Sequence, residues 1–379
     1  DQALTSTLKS LELKPDNPTA HMNLGWIYKD LGNLDQALAS TLKSLELKPD
    51  NPDAHINLGG IYRDLGNLDQ ALASTLKSLE LKPDNPDALC NLGNIYRDLG
   101  NLNEAKKSVL KALNINPNHF SSAWNLYGLA SNAVEAEKSI NLCLSIDTKD
   151  PKPKIILAAL RYHQGDSTLL ENISQSQYKQ HPYARSIKWV SDLPNTPLLF
   201  FNRWDFFDHM VDISIPSRPF YEFGVWNGAS FRYLTKSLKR GFGFDTFEGL
   251  PERWHNEKEG KYSAFGVIPQ VEGGIFVKGK FEETLPTFFS KQQPIASIIN
   301  FDADLYSSTL CALENCKTVI DSHTILIFDE LIINKHWEED EYKALSEFCA
   351  KHSLTYDVIA VSYFTKQVAV KLLEQDREH

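Results

Sequence analysis

The sequence predicts two fold classes in one chain: an α-helical repeat solenoid, followed by an α/β Rossmann-like domain. Three observations lead to this prediction. A 34-residue unit recurs in the first half. In the second half, short apolar runs alternate with helical patterns, and glycine-bearing or acidic turns follow those runs. A fixed period of this length is typical of stacked helical repeats. The alternation is typical of a mostly parallel sheet with helices on both faces, here with seven strands.

The repeated unit occurs three times in register, beginning at Asn17, Asn51 and Asn85. The first copy reads NPTAHMNLGWIYKDLGNLDQALASTLKSLELKPD, and each copy has a Leu-Gly pair, a tyrosine, an alanine and a closing proline at the same offsets. Glycine and alanine allow the two helices of one unit to pack closely, and proline starts the next unit. This pattern resembles the tetratricopeptide repeat (TPR) family over roughly residues 1–150.

The two ends of the array depart from the pattern. The opening DQALTSTLKSLELKPD matches only the second helix of a unit, so we expect the natural chain to continue toward its N-terminus. The fourth unit, from Pro117, is shortened. Residues 151–197 are predicted to be a helical capping and connecting segment, because an array must cover its last apolar face. The predicted domains are therefore 1–150, 151–197 and 198–379.

The repeat resemblance implies a concave surface for a protein or peptide partner, or for a second copy of the chain. A spacer or dimerisation element is the alternative. The net charge of −10 and the pI of about 5.6 argue against a nucleic-acid partner, which normally faces a strongly basic surface. No apolar run approaches the roughly 18 residues of a membrane span. Five scattered cysteines favour inert thiols in a reducing compartment, so we expect a cytoplasmic protein.

The first strand of the second half ends in an E-x-G-x-x-x-G pattern formed by Glu222, Gly224 and Gly228. Glycines let the chain turn sharply and let a ligand lie against bare backbone. The second strand ends at Asp245, where an acid can accept hydrogen bonds from a ribose diol. The dinucleotide fingerprint G-x-G-x-x-G is absent. The pattern therefore favours a ribose-containing cofactor without a pyrophosphate, such as S-adenosylmethionine, although a plain glycine turn is the alternative.

Two later motifs favour the cofactor. Asp245-Thr-Phe-Glu-Gly-Leu-Pro-Glu252 and Phe301-Asp-Ala-Asp-Leu-Tyr-Ser-Ser-Thr309 resemble the macrocin O-methyltransferase family over roughly residues 198–373. That family belongs to the class I S-adenosylmethionine-dependent methyltransferases. The resemblance implies methyl transfer to a hydroxyl of a sugar or glycoconjugate, with a divalent cation, commonly Mg²⁺, in the site.

The resemblance also implies a role for each matching residue. Asp304 would be the general base. From the residues alone, and not from the resemblance, His336 next to Trp337 is a second candidate for that role, with an ordinary loop histidine as the alternative. The predicted metal ligands are Asp302, Asp329 and Glu330. The predicted cofactor-binding residues are Glu222, Gly224, Gly228, Asp245 and Asp302. The family's final acidic pair is usually Asp-Asp; glutamate is still a hard oxygen ligand, but its longer side chain changes the geometry. The alternative is that these acids cap the helices that follow them.

The polar segment 251–273 is predicted to be a lid or an acceptor-binding loop, with a plain surface loop as the alternative. Two further functions are alternatives to the sugar O-methyltransferase. The first is methylation of a protein or peptide docked on the repeats. The second is a non-catalytic scaffold with a vestigial methyltransferase domain.

Overall fold

The structure, a computed structural model, describes residues 2–374. The contacts within the chain divide it into two compact units. Within the described residues, the first comprises 2–129 and Ser145–Asp147, and the second comprises Ala130–Leu144 and 148–374. The division falls near residue 130, with residues 145–147 returning to the first unit.

The first unit is built from paired helices. They are α1 (Gln2–Leu13), α2 (Pro18–Asp30), α3 (Leu34–Leu47), α4 (Pro52–Asp64), α5 (Leu68–Leu81), α6 (Pro86–Asp98), α7 (Leu102–Ile115) and α8 (Phe120–Tyr127). The Asn-Pro pairs start helices for a local reason. At α2 the Asn17 side chain accepts hydrogen bonds from the amides of Thr19 (3.1 Å) and Ala20 (3.2 Å), and proline at the first helical position lacks the donor that would be left unpaired.

The Leu-Gly glycines sit where two helices of one repeat touch. A Cβ atom on Gly59 would lie 2.2 Å from Thr75 Oγ1, and one on Gly25 would lie 2.1 Å from Thr41 Oγ1. The alanines that face them, such as Ala71, are fully buried. The expected close packing within each repeat is therefore confirmed, and α8, with 8 residues where α2 has 13, confirms that the fourth unit is shortened.

The second unit begins with helices and continues into a mixed sheet. Its first helices are α9 (Ala133–Ile146), α10 (Pro151–His163), α11 (Thr168–Gln175) and α12 (Pro182–Ser191). The later helices are α13 (Arg203–Asp212), α14 (Ala229–Leu238), α15 (Phe281–Phe289), α16 (Tyr306–Cys316) and α17 (Glu341–His352). Short 3₁₀ turns lie at Gln177–Gln180, Lys317–Val319 and Trp337–Glu339. Helices α10, α11 and α12 lie within the segment 151–197 that was predicted to be helical, and the predicted capping role of that segment stays a prediction.

The described strands form one eight-stranded sheet. They are β1 (Leu198–Leu199), β2 (Phe220–Phe223), β3 (Gly241–Asp245), β4 (Gly274–Lys278), β5 (Ile298–Phe301), β6 (Ile325–Phe328), β7 (Leu354–Val361) and β8 (Val368–Glu374). Their order is β1-β7-β8-β6-β5-β2-β3-β4, and only β8 runs antiparallel to its neighbours. The predicted number of seven strands is therefore wrong by one. The missed strand, β1, is two residues long, too short for any side-chain alternation to reveal it.

The side of the sheet to which the chain adds successive strands changes at β2. From β2 the chain adds β3 and β4 on one side and then crosses to add β5 and β6 on the other. Every residue of β2, β5 and β6 is buried, so both faces of the sheet are covered at its centre. A reversal of this kind opens a crevice beyond the carboxyl ends of the two strands that flank it. Here those strands are β2 and β5.

Candidate functional site

A cavity of about 280 Å³ lies beyond the carboxyl ends of β2, β3, β5 and β6. Ligand pockets usually begin at about 300 Å³, so the volume of this cavity is just below the lower limit of that range. Its apolar walls include Trp226, Leu250, Tyr262 and Phe281. Its charged lining consists of Arg203, Lys280, Asp245, Glu282, Asp302, Asp304, Asp329 and Glu330. With six carboxyl groups and two cationic groups, the cavity favours a ligand that carries positive charge.

The strand ends are aligned by main-chain hydrogen bonds that continue beyond the strands themselves. The amide of Gly224 donates to Phe244 O (2.9 Å), that of Asp302 to Phe223 O (2.8 Å) and that of Asp329 to Phe301 O (2.9 Å). Residues that are far apart in the sequence are thereby placed side by side at one edge of the sheet. This is how the structure brings Asp302 and Asp329 together, as the sequence predicted.

The turn after β2 needs glycine at its first position. Gly224 has φ +89°, and a Cβ atom there would lie 1.8 Å from the carbonyl oxygen of Asp302. Gly228, the residue before α14, has φ +77° and packs under Pro269, whose Cγ would lie 3.0 Å from such a Cβ. Gly224 lines the cavity, whereas Gly228 lies outside its lining. The bare backbone at Gly224 thus leaves room both for the neighbouring strand end and for a ligand.

Asp245 lines the cavity and already holds the glycine turn together. Its Oδ2 accepts hydrogen bonds from the amides of Val225 and Trp226, each at 2.7 Å, and its Oδ1 accepts one from Phe247 at 2.7 Å. A carboxylate offers about four acceptor positions, so one remains for a ligand hydroxyl. Asp245 therefore has a second task, that of fixing the loop, which the sequence pattern does not reveal.

Glu222 lies beneath the cavity and outside its lining. It is fully buried on β2, and Asn300 Nδ2 on the paired strand β5 donates to its Oε1 at 2.8 Å. Burial raises the pKa of Glu222 to about 7, while the nearby polar side chains of Ser230 and Asn300 act in the opposite direction. Ser230 does line the cavity. Glu222 thus joins β2 to β5 through Asn300, and its predicted contact with a cofactor is not part of this geometry.

Asp302 and Asp304 follow β5 and both line the cavity. Burial raises the pKa of each carboxyl well above its usual range, and the charges of Asp329 on Asp302 and of Glu330 on Asp304 add to that effect. Asp304 adopts φ +60°, a conformation that aspartate tolerates better than most residues. The turn aims two neighbouring acids into one cavity, in an environment that makes each a stronger base than a solvated carboxylate.

Asp329 and Glu330 follow β6, and each is paired with a cation of the protein. Arg203 Nη2 donates to both oxygens of Asp329, at 2.7 Å and 2.5 Å. Lys366 Nζ donates to Glu330 Oε1 at 2.8 Å. Among residues 2–374, no three His, Cys, Asp or Glu side chains are grouped so that they would hold a metal ion. As arranged, the predicted ligands Asp302, Asp329 and Glu330 do not fit a divalent cation.

A further buried acid, Glu341, belongs to the same cluster. Its Oε2 accepts a hydrogen bond from the amide of Glu330 at 3.1 Å, at the start of α17. Burial raises its pKa well above the usual range, and the charge of Asp304 contributes. The sequence analysis missed Glu341, because an acid in the first turn of a helix is an ordinary helix-stabilising feature.

His336, the second candidate base, does not line the cavity. Its ring stacks on that of His255 with centroids 4.8 Å apart, and its Nδ1 lies 3.9 Å from Glu339 Oε1. The structure therefore places His336 beside His255 of the polar segment 251–273 and outside the lining of the cavity that contains Asp304. The position gives no support to the predicted role in proton transfer, which stays a prediction.

The segment 251–273 reaches from the end of β3 across to residues that follow β6. Tyr262 lines the cavity. Near the start of the segment, His255 Nε2 lies 2.9 Å from Asp340 Oδ2, and Trp254 Nε1 donates to Asp340 Oδ1 at 3.2 Å. Near its end, Pro269 packs over Gly228. The segment thus contributes Tyr262 to the cavity lining, and its role as a lid or an acceptor-binding loop stays a prediction.

The repeats carry their own candidate surface. The copies Asn17–Asp50 and Asn51–Asp84 have identical second helices and differ at four positions of their first helices. The paired residues are Thr19 and Asp53, Met22 and Ile56, Trp26 and Gly60, and Lys29 and Arg63. Spacings of three and four residues place these positions on one face of a helix. Trp26 is 59 % exposed on this first-helix stripe.

The same stripe carries a row of ion pairs. Lys29 Nζ lies 2.9 Å from Asp64 Oδ2, and Arg63 Nε lies 3.8 Å from Asp98 Oδ2 in the next repeat. Partly exposed surface pairs such as these contribute little to stability, about 0–1 kcal/mol each. Their regular placement makes successive first helices present alternating charge beside the exposed indole of Trp26.

Comparisons with known proteins identify the helical repeats. Residues 18–51 and 86–119 match the tetratricopeptide repeat model, residues 41–73 match a second tetratricopeptide repeat model, and residues 59–99 match a TPR repeat model. The N-terminal region is therefore composed of tetratricopeptide repeats. No curated protein matches the chain.

Solved structures of repeat proteins resemble the chain at low identity. A thermophilic TPR protein of Thermus thermophilus is 21 % identical, covering 42 % of this chain and 89 % of that one, with a TM-score of 0.40. Pseudomonas aeruginosa pilF is 20 % identical (50 % and 88 % covered, TM-score 0.41). A tetratricopeptide repeat protein of Parabacteroides merdae is 24 % identical (49 % and 78 % covered, TM-score 0.39). Likenesses of this size imply no shared activity or partner.

None of the helices within residues 2–374 is both long enough and apolar enough to cross a membrane.

Proposed function

We propose that this chain is an S-adenosylmethionine-dependent O-methyltransferase that acts on a hydroxyl of a sugar or glycoconjugate, with repeats that hold a protein or peptide partner. The observation that carries the proposal is the acidic cavity at the reversal of strand order. It combines the open turn at Gly224, the acid Asp245 at the end of β3 and the pair Asp302 and Asp304 after β5. These are the positions at which the macrocin O-methyltransferase resemblance locates cofactor and base.

The lining suits each part of the cofactor. The sulfonium and ammonium groups are cationic and match a wall in which carboxyl groups outnumber cationic ones. Trp226, Tyr262 and Phe281 offer aromatic surface for the adenine ring. Asp245 keeps one acceptor position for a ribose hydroxyl. The missing side chain at Gly224 keeps the turn open, so a ligand can approach the backbone directly.

When bound, the cofactor supplies a methyl group on a positively charged sulfur. The chain must then align the acceptor hydroxyl with that carbon and remove the hydroxyl proton. Alignment alone contributes up to several kcal/mol. Asp304 takes the proton as general base, since its carboxyl lies in the cavity wall and burial makes it a stronger proton acceptor. Tyr262 lines the same cavity and helps to orient the acceptor.

The first-helix stripe is the proposed contact surface of the repeats. Repeat arrays usually recognise proteins or peptides, and in this array the first two full copies vary only on that stripe. The exposed indole of Trp26 beside the charge of Lys29 gives it an aromatic anchor and a polar rim. A cytoplasmic location is part of the proposal: the five cysteines are all free, which suits a reducing compartment.

Two other functions stay open to test. In a protein methyltransferase, the acceptor would be docked on the stripe, so Trp26→Ala would lower the rate. A sugar methyltransferase would modify a free sugar equally well with or without that substitution. In a non-catalytic scaffold, the cavity would bind no cofactor. The same assays on one panel of variants therefore separate the three.

The first experiment is calorimetric titration of the full chain with S-adenosylhomocysteine. We expect micromolar binding that is lost in Asp245→Asn. The substitution replaces one carboxylate oxygen by an NH2 group, which is a hydrogen-bond donor and cannot accept the hydrogen bonds that the loop amides donate to Asp245. Asp357→Asn is the matched control, since Asp357 is exposed on β7. Binding in the control but not in Asp245→Asn supports the cofactor site. No binding by the folded wild type would refute the enzyme proposal.

A further inference from the structure

Asp329 and Glu330, which follow β6, accept hydrogen bonds from side chains whose positions are set by the pairing of β6 with β8. In the antiparallel pairing of β6 with β8, Phe328 lies opposite Val368. Continuing that register by one and two residues brings Asp329 opposite Gln367 and Glu330 opposite Lys366. The side chains follow the register: Gln367 Nε2 donates to Asp329 Oδ1 at 2.9 Å, and Lys366 Nζ donates to Glu330 Oε1.

A second element supplies the other cation. Arg203 is the first residue of α13, whose N-terminus is fixed by Asn202: the Asn202 side chain accepts hydrogen bonds from the amides of Trp204 (3.1 Å) and Asp205 (2.9 Å). This cap holds the start of α13 beside the end of β6. The Asp329 side chain, which is nearly buried, accepts from both Arg203 and Gln367.

These bonds occupy most of the acceptor capacity of the pair. Asp329 accepts two contacts from Arg203 and one from Gln367, of about four that a carboxylate can take. Glu330 accepts from Lys366 on one oxygen and from Asn334 on the other. Both carboxylates also have a counter-charge within hydrogen-bond distance, which is the condition for keeping an ionised acid in a buried place.

The glutamate at the second position fits this arrangement. Its side chain is one methylene longer than that of the usual aspartate, and it spans the distance to Lys366, which sits in the turn between β7 and β8 with φ +66°. Glutamate in place of the family's usual aspartate alters the predicted metal site, and here its carboxylate forms an ion pair with Lys366 between the adjacent ends of β6 and β8.

We propose that two protein cations, Arg203 on Asp329 and Lys366 on Glu330, take the place that the family resemblance gives to a divalent metal ion. The inference rests on the proposed function only in that it concerns the same site. Its consequence is a cofactor site that is complete without added metal. Removal of either cation leaves uncompensated carboxylates and opens the site to Mn²⁺ or Mg²⁺.

The test is titration of the full chain with Mn²⁺, followed by electron paramagnetic resonance of the free ion. We expect no stoichiometric binding by the wild type. Arg203→Met and Lys366→Met should each bind one Mn²⁺ at least tenfold more tightly than the wild type. Lys188→Met, which removes an exposed lysine of α12 that is paired with Asp192, is the control and should gain nothing.

Each outcome has a defined meaning. Stoichiometric Mn²⁺ binding by the wild type overturns the proposal, and this measurement needs no variant. Absence of binding by the wild type and by both folded variants also contradicts it, since the cations would then not be what excludes the ion. The wild type is also titrated with S-adenosylhomocysteine, once in EDTA and once in Mg²⁺. If it binds S-adenosylhomocysteine under neither condition, the enzyme proposal is contradicted, whereas the conclusion from Mn²⁺ binding is unaffected.

Discussion

The repeats and the cavity differ in how far apart in the sequence their contacting residues lie. In the repeats, Gly59 contacts Thr75 of the same unit, and Asn91 of the next unit donates a hydrogen bond to Thr75. Both contacts join residues that are less than one repeat apart. At the cavity, Arg203 meets Asp329 across 126 positions of the sequence. A local contact is renewed in every repeat, whereas a distant one exists only once the sheet has formed. Substitutions in the repeats should therefore change stability and leave cofactor binding intact. Substitutions at the cavity should change binding or rate, and they should also change stability where a buried or closely packed group is altered.

The largest effect is expected for Asp304→Asn. Loss of a general base typically lowers a rate by about 10²–10⁴-fold, while the amide keeps the size of the side chain. Methyl transfer from labelled S-adenosylmethionine to a sugar acceptor measures the rate, and S-adenosylhomocysteine titration measures binding. We expect the rate to fall and the binding to stay within a few-fold. An unchanged rate would remove Asp304 from the mechanism.

Next is Gly224→Ala, which introduces a Cβ 1.8 Å from Asp302 O at a φ of +89°. We expect cofactor binding to weaken by about 100-fold or more, together with a destabilisation of about 3 kcal/mol, because the strand ends must separate. The control is Gly165→Ala, at φ +93° with no atom within 4 Å of the added carbon. It isolates the cost of the backbone conformation, about 1 kcal/mol. Equal effects of the two substitutions would contradict the steric argument.

Glu222→Gln tests the buried acid through pH. Because its pKa is raised from 4.5 to about 7 on folding, the folded protein holds the proton more tightly than the unfolded chain. The stabilisation is complete below pH 4.5 and is lost as the pH rises to about 7. We expect the wild type to lose about 3 kcal/mol over this window that the glutamine variant keeps, as measured by urea unfolding at pH 5 and pH 8. Glu80→Gln, in an exposed pair, should leave the difference unchanged.

The smallest effects are expected in the repeats, for two adjacent glycines. A Cβ at Gly59 would lie 2.2 Å from Thr75 Oγ1, whereas one at Gly60 would lie 3.1 Å from the flexible end of Lys29. We expect Gly59→Ala to cost about 1–3 kcal/mol and Gly60→Ala to gain up to about 1 kcal/mol in helix propensity. Thermal unfolding measures both. Cofactor binding should be unaffected; a loss of binding in either variant would mean that repeat contacts reach the cavity.

The sequence by itself determined the repeats and the strand ends. The 34-residue period, the Asn-Pro starts and the Leu-Gly contacts are local, and their geometry follows from helix chemistry within one unit. The strand ends were equally readable: β2 lies at Phe220–Phe223 as predicted, and Asp302 and Asp329 each follow a strand whose residues are all buried. Parallel strands bring such positions to one edge whatever the connecting loops do.

Only the tertiary structure decided which side chains surround those acids. Arg203, Glu341, Lys366 and Gln367 stand in no motif, and they reach the site through a capped helix and an antiparallel register that span large separations in the sequence. The structure likewise assigned Asp245 to holding the glycine turn and placed Glu222 beneath the cavity. Motifs indicate which residues end the strands. Charge balance and hydrogen-bond capacity depend on every neighbour in three dimensions, and those neighbours are fixed only when the sheet closes around them.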